Sequence, residues 1–382
     1  VDLEEIIIEK IKQKRGITFR DFMEIALYYP GYGYYTSPGE KIGRRGDYYT
    51  SPDVGSVFGE LFCIQLKELW EIMDKKRFTI LEIGAGKGLL CRDILEYSKR
   101  YKEFSESINY VIVEKSPQMT ERQKRTIQDD RVSWENSLKN LSIEGCIISN
   151  ELIDSFPVHI VEMRKGKLWE VYVTYKEGFV EELRPPSTPL LEEYLSQLEI
   201  KLKEGFRIEI NLDALEWIKN VANTLRRGFV ITVDYGYTAE ELNVPHRARG
   251  TLLCYYKHSA YNNPYERIGL QDITTHVNFS ALTYWGRLNG LELCGYTDQA
   301  HFILGLLEEY FRAMEDEYQE YYRKLQQIKR LILPGEMGET FKVLVQYKGV
   351  RPPKIKGMKY AKDSFSLILK PKNRTKILTE PF

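Results

Sequence analysis

Cysteine and histidine are scarce in this chain, five of each in 382 residues, and no Cys-x-x-Cys pair occurs. Such usage offers neither a zinc knuckle nor a disulfide framework. The cysteines (63, 91, 146, 254 and 294), mostly set in apolar runs, read as buried reduced thiols, and no metal is expected. Apolar runs are short as well, none approaching the ~18 residues of a membrane-spanning helix. Neither sign of charge is in excess, with 55 Lys plus Arg against 55 Asp plus Glu. Phosphate binding favours a basic surplus, so nucleic acid is not expected as the main partner. The stretch "VDLEEIIIEKIKQKRG" lacks the basic-then-apolar order of a secretory signal and reads as an amphipathic helix. A cytoplasmic setting is the expectation.

With 43% hydrophobic and 29% charged residues, the chain has what an ordinary globular protein needs for a large core and one to three domains. Residues 1–75 read as helical around a Gly/Tyr-rich interruption at 30–55, "PGYGYYTSPGEKIGRRGDYYTSPDVG". A loop of that length inside a domain is usually functional. From residue 76, strands ("FTILEIGAG", "NYVIVEKS", "RVSWEN", "CIISNE") alternate with helices. That order indicates an α/β fold with a parallel sheet covered on both faces. Residues 158–183 alternate with period two and read as an antiparallel meander. Helices are expected at 189–203 and 212–226, and "RGFVITVDYGY" returns as a buried strand. Residues 238–275 read as irregular. A long charged helix over 307–328, read as a solvated surface helix with pairing to a second copy as the alternative, precedes a last antiparallel strand at 341–349. The division expected is an N-terminal helical and lid segment (1–75), a catalytic domain (76–154 with 227–349), an inserted candidate substrate-binding region (155–226) and a tail (350–382).

"LEIGAGKG" leaves a strand and opens a helix, the setting in which a glycine turn brings backbone amides to a ligand. Its spacing, Gly84-x-Gly86-x-Gly88 with Ala85 between, is not the dinucleotide Gly-x-Gly-x-x-Gly. Nor is Lys87 followed by Ser or Thr, as a P-loop requires. Glu82, just before the turn, would repel pyrophosphate but suits an amino group. Glu114, ending the next strand, suits a pair of ribose hydroxyls. An ammonium, a ribose and no phosphate together describe S-adenosyl-L-methionine. Glu135 and Trp134, at the end of the third strand, are expected near the adenine, although Trp134 fits a core position equally.

The blocks "GDYYTSPDVGSVFGE", "LEIGAGKG", "SNELIDSFPVH", "RGTLLCYYKH" and "QDITTHVNF" together resemble the MidA family. These are class I methyltransferases that include a mitochondrial complex I assembly factor with protein-arginine methyltransferase activity. The resemblance runs from about residue 16 to 349. It implies a Rossmann-like, seven-stranded methyltransferase sheet with large insertions, and symmetric dimethylation of an accessible arginine in a protein partner.

In that frame Asn150, Glu151 and Asp154, which end the fourth strand, are expected at the transfer site. A guanidinium is a fork of donors that a carboxylate binds bidentately, and two acids can hold the fork and steer one nitrogen. Asp154 either reaches the substrate or caps the following segment. His276 resembles the Thr-His loop histidine of other arginine methyltransferases and is otherwise structural. Asp234 and Tyr235 are placed beside the same cleft. In the lid, Asp47, Tyr48, Thr50 and Ser51 are expected at the methionine end, with Gly43, Gly46 and Gly55 as hinges and Arg44 and Arg45 paired or solvated. Alternatives are methylation of a different nitrogen, or a scaffold protein that binds a partner without needing catalysis.

Overall fold

β-branched and aliphatic runs build the central sheet of the computed structural model, which describes residues 2–39, 41, 47, 50–313, 318–334 and 337–361. In chain order its main strands are β1 (Phe78–Ile83), β2 (Ile108–Val113), β3 (Val132–Glu135), β4 (Ile143–Asn150), β5 (Leu225–Tyr237), β6 (Glu292–Asp298) and β7 (Phe341–Lys348). They lie in the order 3-2-1-4-5-7-6, and β7 alone among them runs antiparallel to its neighbours. The sheet has eight strands rather than seven, because Val277–Asn278 pairs in parallel with Gly236 and Tyr237 at the end of β5. A two-residue strand leaves no periodicity in the sequence.

Both faces of β4 are buried, as a doubly covered sheet demands. Cys146 and Ile148 face a core built with helices Val57–Ile72, Leu89–Ser98, Gln299–Arg312 and Tyr318–Ile332. Ile147 faces the opposite core, with helices Leu212–Thr224 and Phe279–Leu288. All five cysteines are free and four of them are buried.

The inserted meander forms with His159–Arg164, Lys167–Tyr175 and Phe179–Arg184, but its sheet also recruits Ile17–Thr18 and the short strand Arg207–Ile210. Helices Leu3–Lys14 and Phe19–Tyr28 pack on it through Ile7, Ile11 and Phe22 against Val158, Val171 and Val173. The N-terminal segment therefore serves both bodies, since its helix Val57–Ile72 belongs to the central sheet. Thr18 and Ser116 cap their helices, accepting from the backbone N–H groups of Asp21 and Met119.

Three expectations are corrected. Residues 238–275 include a three-stranded sheet of Leu253–Tyr256, Ser259–Tyr261 and Asp272–Thr274. The helix expected over 189–203 ends at Gln197. Instead of one helix over 307–328 there are two, because Asp298 caps a start at Gln299 by accepting from the N–H of His301, and a second helix begins at Tyr318.

Chain order runs outward from β1 to β2 and β3, then returns across β1 to β4. The reversal lies between β1 and β4, the switch point where open α/β sheets bind ligands. Register places Ile83 beside Ser149 and Asn150 beside Val233. Gly84 and Glu151 thus leave adjacent strands side by side, next to Asp234 near the end of β5.

Candidate active site

Gly84, Gly86 and Gly88 all adopt positive φ (69°, 51° and 78°), so the turn after β1 takes a backbone path that side chains disfavour. Beneath it Glu82 is enclosed, 2% exposed, and accepts the Tyr110 hydroxyl at 2.7 Å. Burial pushes its carboxyl up to about 7 against that hydrogen bond, with Glu114 adding repulsion. Glu82 is thereby tied to Tyr110 of the neighbouring strand β2. Glu114 is half-buried and accepts from the Ser116 N–H at 2.9 Å and from Gln123 Nε2 at 3.0 Å. Gln123 also donates to the Gly86 carbonyl and accepts from the Trp134 indole at 3.1 Å. Trp134 is thereby fixed beside the turn, whereas the Glu135 side chain is exposed and its carbonyl takes the Glu114 N–H.

At the end of β4, Glu151 stands at φ 50°. Its Oε1 accepts from the Ser51 N–H at 3.0 Å and from Asn150 Nδ2 at 3.2 Å, and its Oε2 accepts the Tyr235 hydroxyl at 3.3 Å. Desolvation raises its carboxyl to about 8, with Asp234 adding repulsion. Asp234 is fully buried and performs the turn-capping role. Its Oδ2 accepts the N–H groups of Leu152, Ile153 and Asp154 at 3.2, 2.8 and 3.4 Å, and burial brings it to about 7. Asp154 is thus freed to point its carboxyl elsewhere. It lines a cleft of about 330 Å³ with Glu151, Asp47, Asp272 and the rings of Tyr35, Tyr235 and Tyr255. Burial and the neighbouring acids Asp234, Asp272 and Glu151 raise Asp154 well above the ordinary carboxylate range.

The N-terminal loop closes on this cleft at three places. Asp47 accepts the Tyr34 hydroxyl at 2.8 Å and the Lys257 N–H at 2.7 Å. Thr50 and Asp53 form a capping box around the helix Ser51–Val54, and Asp53 pairs with Lys87 of the glycine turn. Ser51 reaches Glu151 as described. Tyr48, Gly43, Arg44, Arg45 and Gly46 lie outside the described residues. His276 stacks against Tyr235 and packs at a tilt on Tyr237, with ring centroids 6.5 and 5.2 Å away. Burial, then Arg247 and Lys342, lower it to about 4, and its Nδ1 has no partner among the described residues. The ring thus lies behind the Tyr235 wall, while Glu151 takes its hydrogen bonds from Ser51, Asn150 and Tyr235.

A family model for S-adenosyl-L-methionine-dependent methyltransferases matches residues 61–297. The chain belongs to this family. It is similar over 95% of its length to a Burkholderia thailandensis protein solved with S-adenosyl-homocysteine bound, at 30% identity, TM-score 0.86 and 96% coverage of that chain. A curated relative is the mitochondrial protein arginine methyltransferase NDUFAF7 homolog of Drosophila melanogaster, 26% identical over 89% of this chain and 84% of that one. The human mitochondrial protein arginine methyltransferase NDUFAF7 is 26% identical over 88% and 81%.

The methyltransferase's own residues fit that cofactor. The Asn150 Oδ1 is buried without a partner among the described residues, an acceptor waiting for a donor. Glu114 accepts from Ser116 and Gln123, with the Lys115 N–H a further neighbour, and these do not exhaust the about four acceptor positions of a carboxylate. Gly84, Ala85, Gly86 and Gly88 with Glu114 and Asn150 would hold it. When bound, the cofactor supplies a methyl group already activated on a sulfonium. The protein's part is then to hold a nucleophile in line and exclude water.

Sequence reasoning missed Asp272, Tyr35, Tyr255 and Gln123. Asp272 opens the block "DITTH" on a three-residue strand and accepts the Tyr35 hydroxyl at 2.8 Å; burial raises it to about 7. An acid four residues before His276 was the available signal.

These carboxyls bind their protons more tightly folded than unfolded. The stability they contribute is complete below the ordinary carboxylate range near pH 4 and is lost as pH rises through about 7 to 8. The melting temperature without ligand is therefore expected to fall as pH rises from about 5 to 8. Asp272→Asn is expected to flatten that fall, and a curve of unchanged slope in the variant would contradict the assignment.

Proposed function

We propose that this methyltransferase transfers the methyl group to a guanidinium nitrogen of arginine in a protein partner. The observation that carries the reading is the cleft itself, where Glu151, Asp154 and Asp272 stand between aromatic walls with their charge suppressed by burial and, at Asp154, by the other two acids as well. A guanidinium is charged at all working pH values and offers five donors in a plane. Entering between Tyr235 and Tyr255, it would ionise Glu151 and share its fork with the second acid. Tyrosine rings favour a cation over their faces and the apolar part of the arm beside them. The names of the curated relatives, protein arginine methyltransferases, support the same substrate class.

Symmetric dimethylation, and a respiratory complex I subunit as target, are the finer form of this proposal and rest on the family resemblance. The free cysteines suit a reducing compartment such as the cytoplasm.

The test is transfer of tritiated methyl from S-adenosylmethionine into proteins of the source organism, followed by acid hydrolysis and amino-acid analysis. Label in symmetric dimethylarginine supports the proposal. Label in lysine, glutamine or histidine derivatives discards the guanidinium reading while leaving the methyltransferase.

A further inference from the structure

We propose that Gln299 is a positioning residue of the transfer site, holding Ser51 so that its backbone N–H stays on Glu151. The inference rests on the reading of Glu151 as the substrate-binding carboxylate.

Gln299 opens the helix Gln299–Arg312, far in sequence from either residue, and is fully buried. Its Oε1 accepts the Ser51 hydroxyl at 3.0 Å, while its Nε2 donates to the Leu331 carbonyl at 3.1 Å. The amide has one orientation that satisfies both partners, since Leu331 offers only an acceptor. Leu331 lies in the last turn of the helix Tyr318–Ile332, where backbone carbonyls lack helical partners. Gln299 thus joins the end of one helix to the start of another. Ser51 begins the short helix Ser51–Val54 and is itself fully enclosed, so fixing its hydroxyl fixes the N–H that reaches Glu151.

The same helix, Tyr318–Ile332, also holds the chain just beyond Ser51, at Gly55 and Val57. Gln327 Oε1 accepts the Val57 N–H at 3.3 Å, and a Cβ at Gly55 would come within 2.2 Å of the Gln327 side chain. Lys324 pairs at 3.3 Å with Glu60, which also accepts the Tyr310 hydroxyl at 2.6 Å. Gln299, Gln327 and Lys324 hold residues 51–60 without lining the cleft themselves. Any buried amide needs partners at both ends; what singles out Gln299 is that one of its partners is Ser51, whose N–H reaches Glu151.

The groups facing Glu151 are Ser51, Asn150, Tyr235, Asp234 and Asp154. Of these contacts only that of Ser51 runs through Gln299. The Ser51 N–H favours the ionised carboxylate, so losing it makes Glu151 harder to ionise.

The experiment is the pH profile of kcat/KM for an arginine peptide with the full chain. The wild type is expected to show an acid limb as Glu151 ionises. In Gln299→Leu that limb is expected to move up by about one pH unit, with a loss near tenfold at neutral pH that shrinks in alkali. Ser51→Ala keeps its N–H but loses the anchoring hydroxyl, and is expected to give the same displacement. The double variant is expected to move no further than either single one. A pH-independent loss in both single variants, or displacements that add, would overturn the role. Full activity of Glu151→Gln would instead overturn the reading of Glu151 beneath it.

Discussion

Glu151→Gln is expected to lower kcat for methyl transfer about a thousandfold, while S-adenosylmethionine binding changes little. Gln has nearly the same shape, so the Ser51 N–H can still find an oxygen acceptor. What is lost is the charge that a guanidinium induces and pairs with, together with one of the two parallel hydrogen bonds of a fork-to-fork contact. The proton released after transfer also loses its nearest acceptor. Peptide turnover and cofactor titration on the same preparation separate the two effects. A variant that turns over within tenfold of wild type would mean that Glu151 does not meet the reacting nitrogen.

Asp234→Ala is expected to be the most damaging single change outside the glycine turn. It strips the acceptor from the N–H groups of Leu152, Ile153 and Asp154, and from that of Tyr235 at 2.9 Å. A buried N–H left without a partner costs about 1–3 kcal/mol. Even with relaxation the loss is expected to reach about 3 kcal/mol. The turn that carries Asp154 would open, and activity would fall with it. Asp234→Asn keeps one carbonyl oxygen for the turn and is expected to melt closer to wild type. Its missing charge also relieves Glu151, so its acid limb should move to lower pH. Equal melting temperatures for Asp234→Ala and wild type would contradict the capping role.

The parallel part of the sheet was legible because strands such as "CIISN" carry continuous apolar runs, and the glycine turn because strand, turn and helix follow directly. Glu151 and Asp154 were legible for a topological reason: they end a strand next to the point where chain order reverses. Strands Arg207–Ile210 and Asp272–Thr274 were not, since four and three residues carry too few alternations to separate strand from loop. With the second strand went Asp272, whose place in the cleft depends on pairing with Leu253–Tyr256. Asp234 was placed beside the cleft from its strand end, but its function as a cap lies in backbone geometry that residue types do not announce. Gln123 and Gln299 are neutral amides on helices. Only their burial and their partners mark them, and both follow from tertiary packing.

The measurement that bears most directly on the guanidinium-binding cleft is calorimetric. An arginine peptide and its lysine counterpart would each be titrated at pH 7 into protein saturated with S-adenosylhomocysteine, in two buffers of different ionisation enthalpy. Glu151, raised to about 8, is largely protonated there, so arginine binding is expected to release close to one proton. Glu151→Gln is expected to abolish that release. Arginine binding with no proton released, or equal binding and release with lysine, would contradict the account.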